Sequence, residues 1–235
     1  MPSFAIIVPC YNEAKRLQQK AFVEFSKMHE DVHIYFVNDG SIDETQNILT
    51  GLQKQSVYFF TITLQQNKGK GEAIREGMLQ LHNNYNYIGY LDADLSTSLD
   101  EFYSLYQKML SKNVSVAFGS RIKKADTVIE RSYVRHIIGR TIATIIDKKF
   151  KLGYYDTQCG AKIFSSQILN DVIKRPFYTR WFFDVELFIR LKKNNSRLNA
   201  LEIPLSVWRN VKGSKLNALS FATVIKELYI LLTKY

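Results

Sequence analysis

The sequence predicts a single α/β domain, built on a mostly parallel β-sheet with helices on both faces. Apolar strand-like runs alternate with amphipathic helical stretches through the first 120 residues, as in a series of β–α–β units. Polar clusters follow several of these runs, and open parallel sheets bind their ligands at that edge. The 235 residues are 46% hydrophobic and contain no repeat or linker, which favours one domain over residues 1–235.

Five strands and four helices are predicted in residues 1–120. Each strand is a short apolar run, and each helix carries apolar residues at helical spacing. Their order is strand FAIIVP, helix 14–28, strand HIYFVND, helix SIDETQNILTGLQ, strand VYFFTITL, helix GKGEAIREGMLQLHNN, strand YNYIGYLDAD, helix 100–111 and strand VSVAFGSR. Ser41 precedes the second helix and is predicted to be its N-cap.

The alternation weakens in residues 121–235, where three helices and one strand are predicted. Residues 130–150, 177–194 and 218–235 have helical patterns, and the first of these is amphipathic. Its apolar stripe comprises Val134, Ile138, Ile142 and Ile145. The segment RLNALEIPLSVW is predicted to be an edge strand, because Pro204 cannot donate to a central ladder.

Charge is distributed unevenly along the chain. Residues 1–120 carry 10 Lys and Arg against 13 Asp and Glu, whereas residues 121–235 carry 22 against 9, which gives the net charge of +10. The second half is expected to face nucleic acid, phosphates or an acidic membrane, unless it is only a soluble basic surface. Without a signal peptide, an apolar span or a cysteine framework, a cytoplasmic location is expected.

Two aspartates follow the apolar run YIGYL. Asp92 and Asp94 are two residues apart, so both carboxylates point to the same side of a strand. Two such charges repel each other unless a proton or a cation lies between them. Mg²⁺ and Mn²⁺ bind one or two carboxylates together with phosphate oxygens. The pair therefore predicts a metal site, with two solvated turn residues as the alternative.

Three further clusters also follow predicted strands. In NKGKGEAIREG, two glycines and two lysines precede a helix, which suits a phosphate unless the segment is only a flexible basic loop. Tyr11 and Glu13 in PCYNE, with Asp39 in VNDGS, offer the ring and the acceptors that a nucleobase needs. For Asp39 the alternative is a capping turn before the next helix.

These motifs, in this order and spacing, resemble the family 2 glycosyltransferases of GT-A fold. The resemblance rests on IIVPCYNE, VNDGSIDET, NKGKGEAIREGM, LDADLST and FGSR. The later segments DTQCGAKIF, WFFDVEL and EIPLSVWRNVKGSKL resemble the dolichyl-phosphate glucosyltransferase branch of that family. Members of the branch commonly carry a membrane-spanning segment, which this sequence does not show. Contact with an anionic membrane is then expected from amphipathic helices and basic surface.

The resemblance implies a metal-dependent, inverting transfer of a hexose, with glucose expected, from a UDP-sugar to a polyprenyl phosphate. Residues 1–120 would bind the nucleotide sugar, and residues 121–235 would bind the acceptor. The implied donor-site residues are Pro9, Tyr11, Glu13 and Asp39 for the base and ribose, Lys70 near the phosphates, Asp92 and Ala93 at the nucleotide or sugar, and Asp94 on Mg²⁺ or Mn²⁺. Arg121 would face the phosphates or the acceptor.

A lipid monophosphate acceptor is already largely anionic near neutral pH, so it needs a cationic site rather than a general base. Arg131 and Arg135 lie four residues apart on the predicted helix 130–150 and therefore share one side of it. Together with Arg121 and Lys215 they are predicted to form that cationic site.

A hydroxyl acceptor would instead need a general base, for which Asp184 and Glu186 are the candidates. The alternative is a structural carboxylate packed behind aromatic residues and paired with an arginine such as Arg180.

Two other functions remain open. One is a family 2 glycosyltransferase that acts on a soluble saccharide in cell-surface polysaccharide assembly. The other is a catalytically silent module that binds a nucleotide sugar or nucleic acid. No recognised nucleic-acid-reading motif is present, so nucleic acid is not expected as a partner. The expected location is the cytoplasm, with peripheral contact at the inner face of the membrane.

Overall fold

A computed structural model describes residues 3–123, 127–129, 133–195, 198–209 and 221–235, without the side chains of 133–138 and 221. These residues form a seven-stranded sheet and a separate two-stranded sheet, with helices packed around the larger one. The predicted single α/β domain is confirmed.

The large sheet contains every predicted strand and one that was not predicted. Its strands are β1 (Phe4–Cys10), β2 (Val32–Asn38), β3 (Phe59–Thr63), β4 (Tyr87–Leu91), β5 (Val116–Ser120), β7 (Ala161–Ser165) and β8 (Ala200–Pro204), while β6 (Val128–Ile129) pairs with β9 (Val207–Trp208). The order across the sheet is β3-β2-β1-β4-β7-β5-β8. Only the unpredicted β7 is antiparallel to its neighbours, β4 and β5. β8 lies at an edge, as Pro204 predicted.

The helices of the described residues are α1 (Gln19–Met28), α2 (Thr45–Gln53), α3 (Lys70–Leu81), α4 (Leu99–Lys112), α5 (Tyr133–Phe150), α6 (Asn170–Ile173), α7 (Phe183–Asn194) and α8 (Phe221–Lys234). The first helix begins later than predicted, because the amides of Arg16 and Leu17 turn back onto the carbonyl of Glu13. The start predicted for the second helix at Ser41 is also wrong. The Ser41 hydroxyl accepts from the Asn12 amide, and Asp43 Oδ1 accepts from the Thr45 amide instead.

Two hydrophobic cores lie on opposite faces of the sheet. Alternate residues of β1 divide between them, as the twofold repeat of a strand requires, so that Phe4 packs into one core and Ile7 into the other. Helices α1 and α4 cover the first face, and α3 and α7 cover the second. Strand β1 is therefore buried on both sides, which explains its uninterrupted apolar sequence.

Helix α5 only partly follows its predicted apolar stripe. Ile146 is buried and Ile142 packs against the second core, whereas Ile145 is 42% exposed. The stripe is therefore wrong at Ile145, because the core-facing positions follow a spacing of four from Ile142 to Ile146. The side chains of Val134 and Ile138 lie outside those that the structure describes.

Candidate active site

The polar clusters that follow β1, β2 and β4 lie close together at the carboxyl-terminal ends of these strands. The Asn12 amide donates to Ser41 Oγ at 3.0 Å, and the Ile42 amide donates to Asn12 Oδ1 at 2.9 Å. From the start of α1, Gln18 Nε2 donates to the backbone carbonyl of Asp94 at 3.1 Å. These contacts confirm that the predicted clusters share one crevice at the carboxyl ends of the parallel strands.

Asp92 directly follows β4 and faces the first residue of α3. Lys70 Nζ lies 2.5 Å from Asp92 Oδ1, and both side chains are about one third exposed, at 39% and 34%. Partial burial disfavours the ammonium ion, but the carboxylates of Asp92, Asp184 and Asp94 outweigh it and raise the pKa of Lys70. The pair places one cation and one anion at the mouth of the crevice.

The Asp92 carboxylate lies close against the backbone of Gly160. The Asp92 amide donates to the Gly160 carbonyl at 3.2 Å, and a Cβ atom at residue 160 would collide with both carboxylate oxygens. Glycine is required here because the Asp92 side chain approaches its backbone closely. Gly160 is a site residue that the sequence did not single out beyond its place in DTQCGAKIF.

Asp94 is partly exposed beside Asp92. Its Oδ1 accepts from the Ser96 amide at 3.0 Å, and none of the described residues donates to its Oδ2. No group of three His, Cys, Asp or Glu side chains among the described residues could enclose a metal. A pair of accessible carboxylates nevertheless fits Mg²⁺ or Mn²⁺, because these ions take their other ligands from water and phosphate oxygens.

Asp39 organises the loop that precedes Lys70. The buried carboxylate accepts from the amides of Lys68 and Gly69 at 2.7 and 2.8 Å, and from Asn67 Nδ2 at 2.9 Å. Burial outweighs these hydrogen bonds and raises the pKa of Asp39. Gly69 needs its positive φ of 94°, and Arg180, which donates to Asn67 Oδ1, leaves no room for a side chain there. Asp39 therefore binds the loop before α3 and does not cap α2, the helix that follows it, so the capping-turn alternative is wrong.

The other residues predicted for the base and ribose also lie at this edge. Glu13 is buried and receives two hydrogen bonds from Arg16, at 2.6 and 2.9 Å, so its carboxylate is already paired. Pro9 lies in β1 opposite Val37, and Tyr11 follows β1 with a partly exposed side chain. Ala93, between the two aspartates, is buried.

Arg121 follows β5 and is paired with Asp156. Its Nε and Nη2 donate to the two carboxylate oxygens at 2.7 and 2.8 Å, and its backbone amide adds a third hydrogen bond. Burial disfavours the charged carboxylate, but the guanidinium of Arg121 outweighs it and lowers the pKa of Asp156 to about 2. The ring of Trp208 lies 5.4 Å from Arg121 Cζ. Arg121 is thus held rigidly at the edge of the crevice.

Asp184 lies in a buried network that the sequence did not predict. Tyr90 OH and Lys162 Nζ both contact Asp184 Oδ1, and Lys162 is fully buried in β7. The arginine partner of the structural alternative is therefore wrong for Asp184, whose cation is Lys162, whereas Glu186 does pair with an arginine, Arg190. The lysine in the segment AKIF could have indicated a cationic partner for Asp184, but the strand that contains it, β7, was not predicted.

Glu186, the second candidate base, is also fully engaged. It accepts from the amides of Tyr178 and Thr179 at 3.0 Å each and pairs with Arg190 at 2.6 Å. Both candidate bases thus have the partners of structural carboxylates.

Most of the predicted acceptor site cannot be placed. Arg131 and Lys215 lie outside the described residues, and Arg135 lies in α5 without a described side chain. Of the four predicted cations, the structure describes the side chain of Arg121. The grouping of these cations stays a prediction.

The fold and this end of the sheet define a class of protein, an α/β protein with paired carboxylates and a basic, glycine-containing loop that fit an anionic ligand. The model of the family named Glycosyl transferase family 2 matches residues 5–173, which is most of the chain. The chain belongs to this family and is a glycosyltransferase.

Curated relatives share the sequence over most of its length. A dolichyl-phosphate beta-glucosyltransferase from Dictyostelium discoideum is 30% identical over 231 residues, which cover 92% of this chain and 69% of the relative. The enzyme of the same name from Saccharomyces cerevisiae is 28% identical over 253 residues, covering 98% of this chain and 74% of the relative. The resemblance to this branch is confirmed.

Solved structures share the fold at lower identity. Glucosyl-3-phosphoglycerate synthase from Mycobacterium tuberculosis, crystallised with Mn²⁺, uridine diphosphate and glucosyl-3-phosphoglycerate, is 16% identical with a TM-score of 0.70. The match covers 97% of this chain and 80% of that one. The predicted GT-A fold is confirmed. In the part of the chain that the structure describes, no helix combines the length and apolarity needed to cross a membrane.

Proposed function

We propose that the protein transfers a hexose, glucose in our prediction, from a UDP-sugar to a polyprenyl phosphate with inversion of the anomeric centre. The observation that carries this proposal is the grouping of Lys70, Asp92 and Asp94 at one edge of the sheet. The named activity of the curated relatives supports the acceptor class. The solved structures, crystallised with UDP-glucose and Mn²⁺, support the donor and the metal.

In the proposed donor site, carboxylates bind the metal and cationic groups bind the phosphates. Asp92 and Asp94 would hold Mg²⁺ or Mn²⁺, which stabilises negative charge on the leaving diphosphate when bound. Lys70 and the amides at the start of α3 offer positive charge to the same phosphates. Gly160, which has no side chain, leaves the space that the Asp92 carboxylate occupies.

The engaged state of both candidate bases favours a phosphate acceptor. A sugar hydroxyl needs a base that can take its proton within hydrogen-bond distance. Asp184 is paired with Lys162 and Tyr90, and Glu186 with Arg190 and two backbone amides. A phosphate monoester is already an anionic nucleophile and needs cations for orientation. We propose Arg121, which would keep its pair with Asp156, together with Arg131, Arg135 and Lys215 as these cations.

We further propose that α5 and α8 contact the anionic membrane that contains the acceptor. Ile145, Ile225 and Tyr229 are 42%, 51% and 67% exposed on these two helices. Lys149 Nζ donates to the Leu232 carbonyl and so joins their ends.

The charges on the described parts of α5 and α8 support this contact. The exposed lysines of these helices are Lys148, Lys149, Lys226 and Lys234. Both acidic residues are engaged elsewhere, since Asp147 accepts from the Gly153 amide and Glu227 from the Trp181 amide. Apolar side chains surrounded by lysines fit a peripheral membrane surface.

UDP release tests the proposed reaction. The full chain is assayed with Mn²⁺ and a panel of nucleotide sugars, using undecaprenyl phosphate in vesicles or a simple saccharide as acceptor. We expect release with UDP-glucose and the lipid phosphate, and loss of at least 100-fold in Asp94→Asn. The matched control is Asp100→Asn, an exposed acid on α4. Release with the saccharide alone would contradict the acceptor, and full activity of Asp94→Asn would contradict the metal site.

A further inference from the structure

A cavity of about 570 Å³ lies at the amino-terminal end of β4, and the candidate active site lies at its carboxyl-terminal end. Its volume is in the range of small-molecule sites. Tyr87, the first residue of β4, and Ser165, the last residue of β7, pair across the sheet and both line the cavity. Strand β4 rises about 3.3 Å per residue, so this wall lies roughly 17 Å from Asp92 at the other end of the strand. The cavity is therefore separate from the donor site.

The wall of this cavity is polar and contains one histidine, His82. Among the described residues that line it, none is Asp, Glu, Lys or Arg, although such residues make up 23% of the chain. Its side-chain amides are Asn83, Asn86, Asn113, Gln167 and Asn170. An amide side chain carries both donors and an acceptor, although Asn86 Oδ1 already accepts from the amide and the hydroxyl of Ser3. A charged ligand would lose hydration here and would find no carboxylate, ammonium or guanidinium among the described lining residues, so the wall favours a neutral ligand with many hydroxyl groups.

A buried hydroxyl without a partner lies in this wall. Ser166 is 6% exposed, and its Oγ has no hydrogen-bond partner among the residues that the structure describes, although its amide donates to the Asn86 carbonyl. An unsatisfied buried hydroxyl is unusual in a folded protein. Rotation about one side-chain torsion moves a serine hydroxyl between staggered positions. A hydroxyl-rich ligand in the adjoining cavity can thus supply the missing partner.

Two tyrosines give the same wall rigid aromatic surface. The hydroxyl of Tyr85 lies 2.5 Å from His33 Nδ1 and 2.8 Å from Tyr35 OH, which fixes its ring. The ring of Tyr87 packs edge-on against Tyr106, with centroids 5.5 Å apart. Fixed rings can cover the apolar C–H face of a pyranose without further loss of side-chain entropy.

We propose that this cavity is a second carbohydrate site, which binds a neutral saccharide away from the catalytic edge. Sugar hydroxyls both donate and accept, as the amide side chains of the wall do. The proposal does not depend on the donor or the acceptor of the catalytic reaction, because it rests on residues at the amino end of β4.

Saturation-transfer difference NMR on the full chain tests this site, with methyl β-D-glucopyranoside and maltotriose as probes and saturating UDP in the donor site. We expect saturation transfer to both probes in the wild type. Gln167→Trp should abolish it by filling the cavity, whereas the matched variant Gln53→Trp, at an exposed position of α2, should leave it unchanged. UDP binding by both variants serves as the check on folding.

A smaller change gives a second test of the same cavity. Ser166→Ala removes one atom and is expected to weaken binding about fivefold, as for the loss of one neutral hydrogen bond. Absence of saturation transfer in the wild type would overturn the proposal. Equal binding by Gln167→Trp and Gln53→Trp would do the same, because it would place the saccharide elsewhere.

Discussion

Lys70 Nζ lies 2.5 Å from Asp92 Oδ1, so the first side chain of α3 neutralises the first carboxylate after β4. The lysine occupies the positive end of a helix dipole, where a cation is disfavoured unless an anion compensates it. The aspartate belongs to the pair that fits a divalent ion. If Asp92 and Asp94 bind the ion as we propose, Lys70 and the metal would compete for one carboxylate until a diphosphate gave the lysine another anion.

Lys70→Met is expected to increase the affinity of the free protein for Mn²⁺ about tenfold, because it removes a neighbouring positive charge. Its affinity for UDP should fall, since one cation beside the phosphates is lost. Titration of Mn²⁺ followed by electron paramagnetic resonance measures the first effect without any turnover. Lys68→Met is the control, because Lys68 pairs with Glu76 rather than Asp92. Equal Mn²⁺ affinities of the two variants would rule out the competition.

Gly160→Ala is expected to lower the rate of transfer at least 100-fold, because the added methyl group displaces the Asp92 carboxylate. Gly51→Ala is the matched control, since no atom lies within 4 Å of a methyl group there. That change, inside α2, should stabilise the protein by about 0.5–1 kcal/mol. Steady-state kinetics and thermal unfolding of both variants distinguish the local effect from loss of the fold. Normal turnover by Gly160→Ala would show that Asp92 can move without consequence.

The Arg121–Asp156 pair predicts a loss of stability in acid. The folded-state pKa of Asp156, about 2, lies below its ordinary value of 3.8, so the contribution is complete above pH 4 and is lost as the pH falls towards 2. Between pH 6 and pH 3 this group alone should cost about 1 kcal/mol of unfolding free energy. Urea titrations at both values should show a smaller decrease for Asp156→Asn. A decrease of equal size in both proteins would show that Asp156 does not titrate abnormally.

Lys162→Met is expected to destabilise the protein by about 3–5 kcal/mol, because it leaves the Asp184 carboxylate buried without its cation. The double variant Lys162→Met/Asp184→Asn should recover most of this loss, and its neutral amide still accepts from Tyr90. Chemical denaturation of the two single variants and the double variant measures the coupling. If Asp184 is structural, the refolded double variant also transfers sugar to lipid phosphate. An inactive but stable double variant would support a catalytic base.

Much of the sheet could be predicted because β1 to β5 are short apolar runs bounded by polar turns. Asp92 and Asp94 were recognisable because they end such a run. Strand β7 was missed, since Lys162 interrupts its apolar pattern and its charge is compensated by Asp184, 22 residues later in the chain. Local spacing cannot reveal that pairing. The contact of Lys70 with Asp92 likewise depends on how α3 crosses the sheet, which only the fold determines.

The exposed apolar side chains of α5 and α8 predict binding to anionic vesicles. Ile225→Ser/Tyr229→Ser should reduce co-sedimentation with vesicles that contain phosphatidylserine about tenfold, because two apolar groups no longer enter the interface. Val57→Ser, at an 80% exposed position between α2 and β3, is the control and should bind like the wild type. Raising the salt concentration should weaken binding of all these proteins, since the surrounding lysines act through screened charges. If the double variant binds as well as the wild type, and salt weakens neither, the membrane contact lies on another surface.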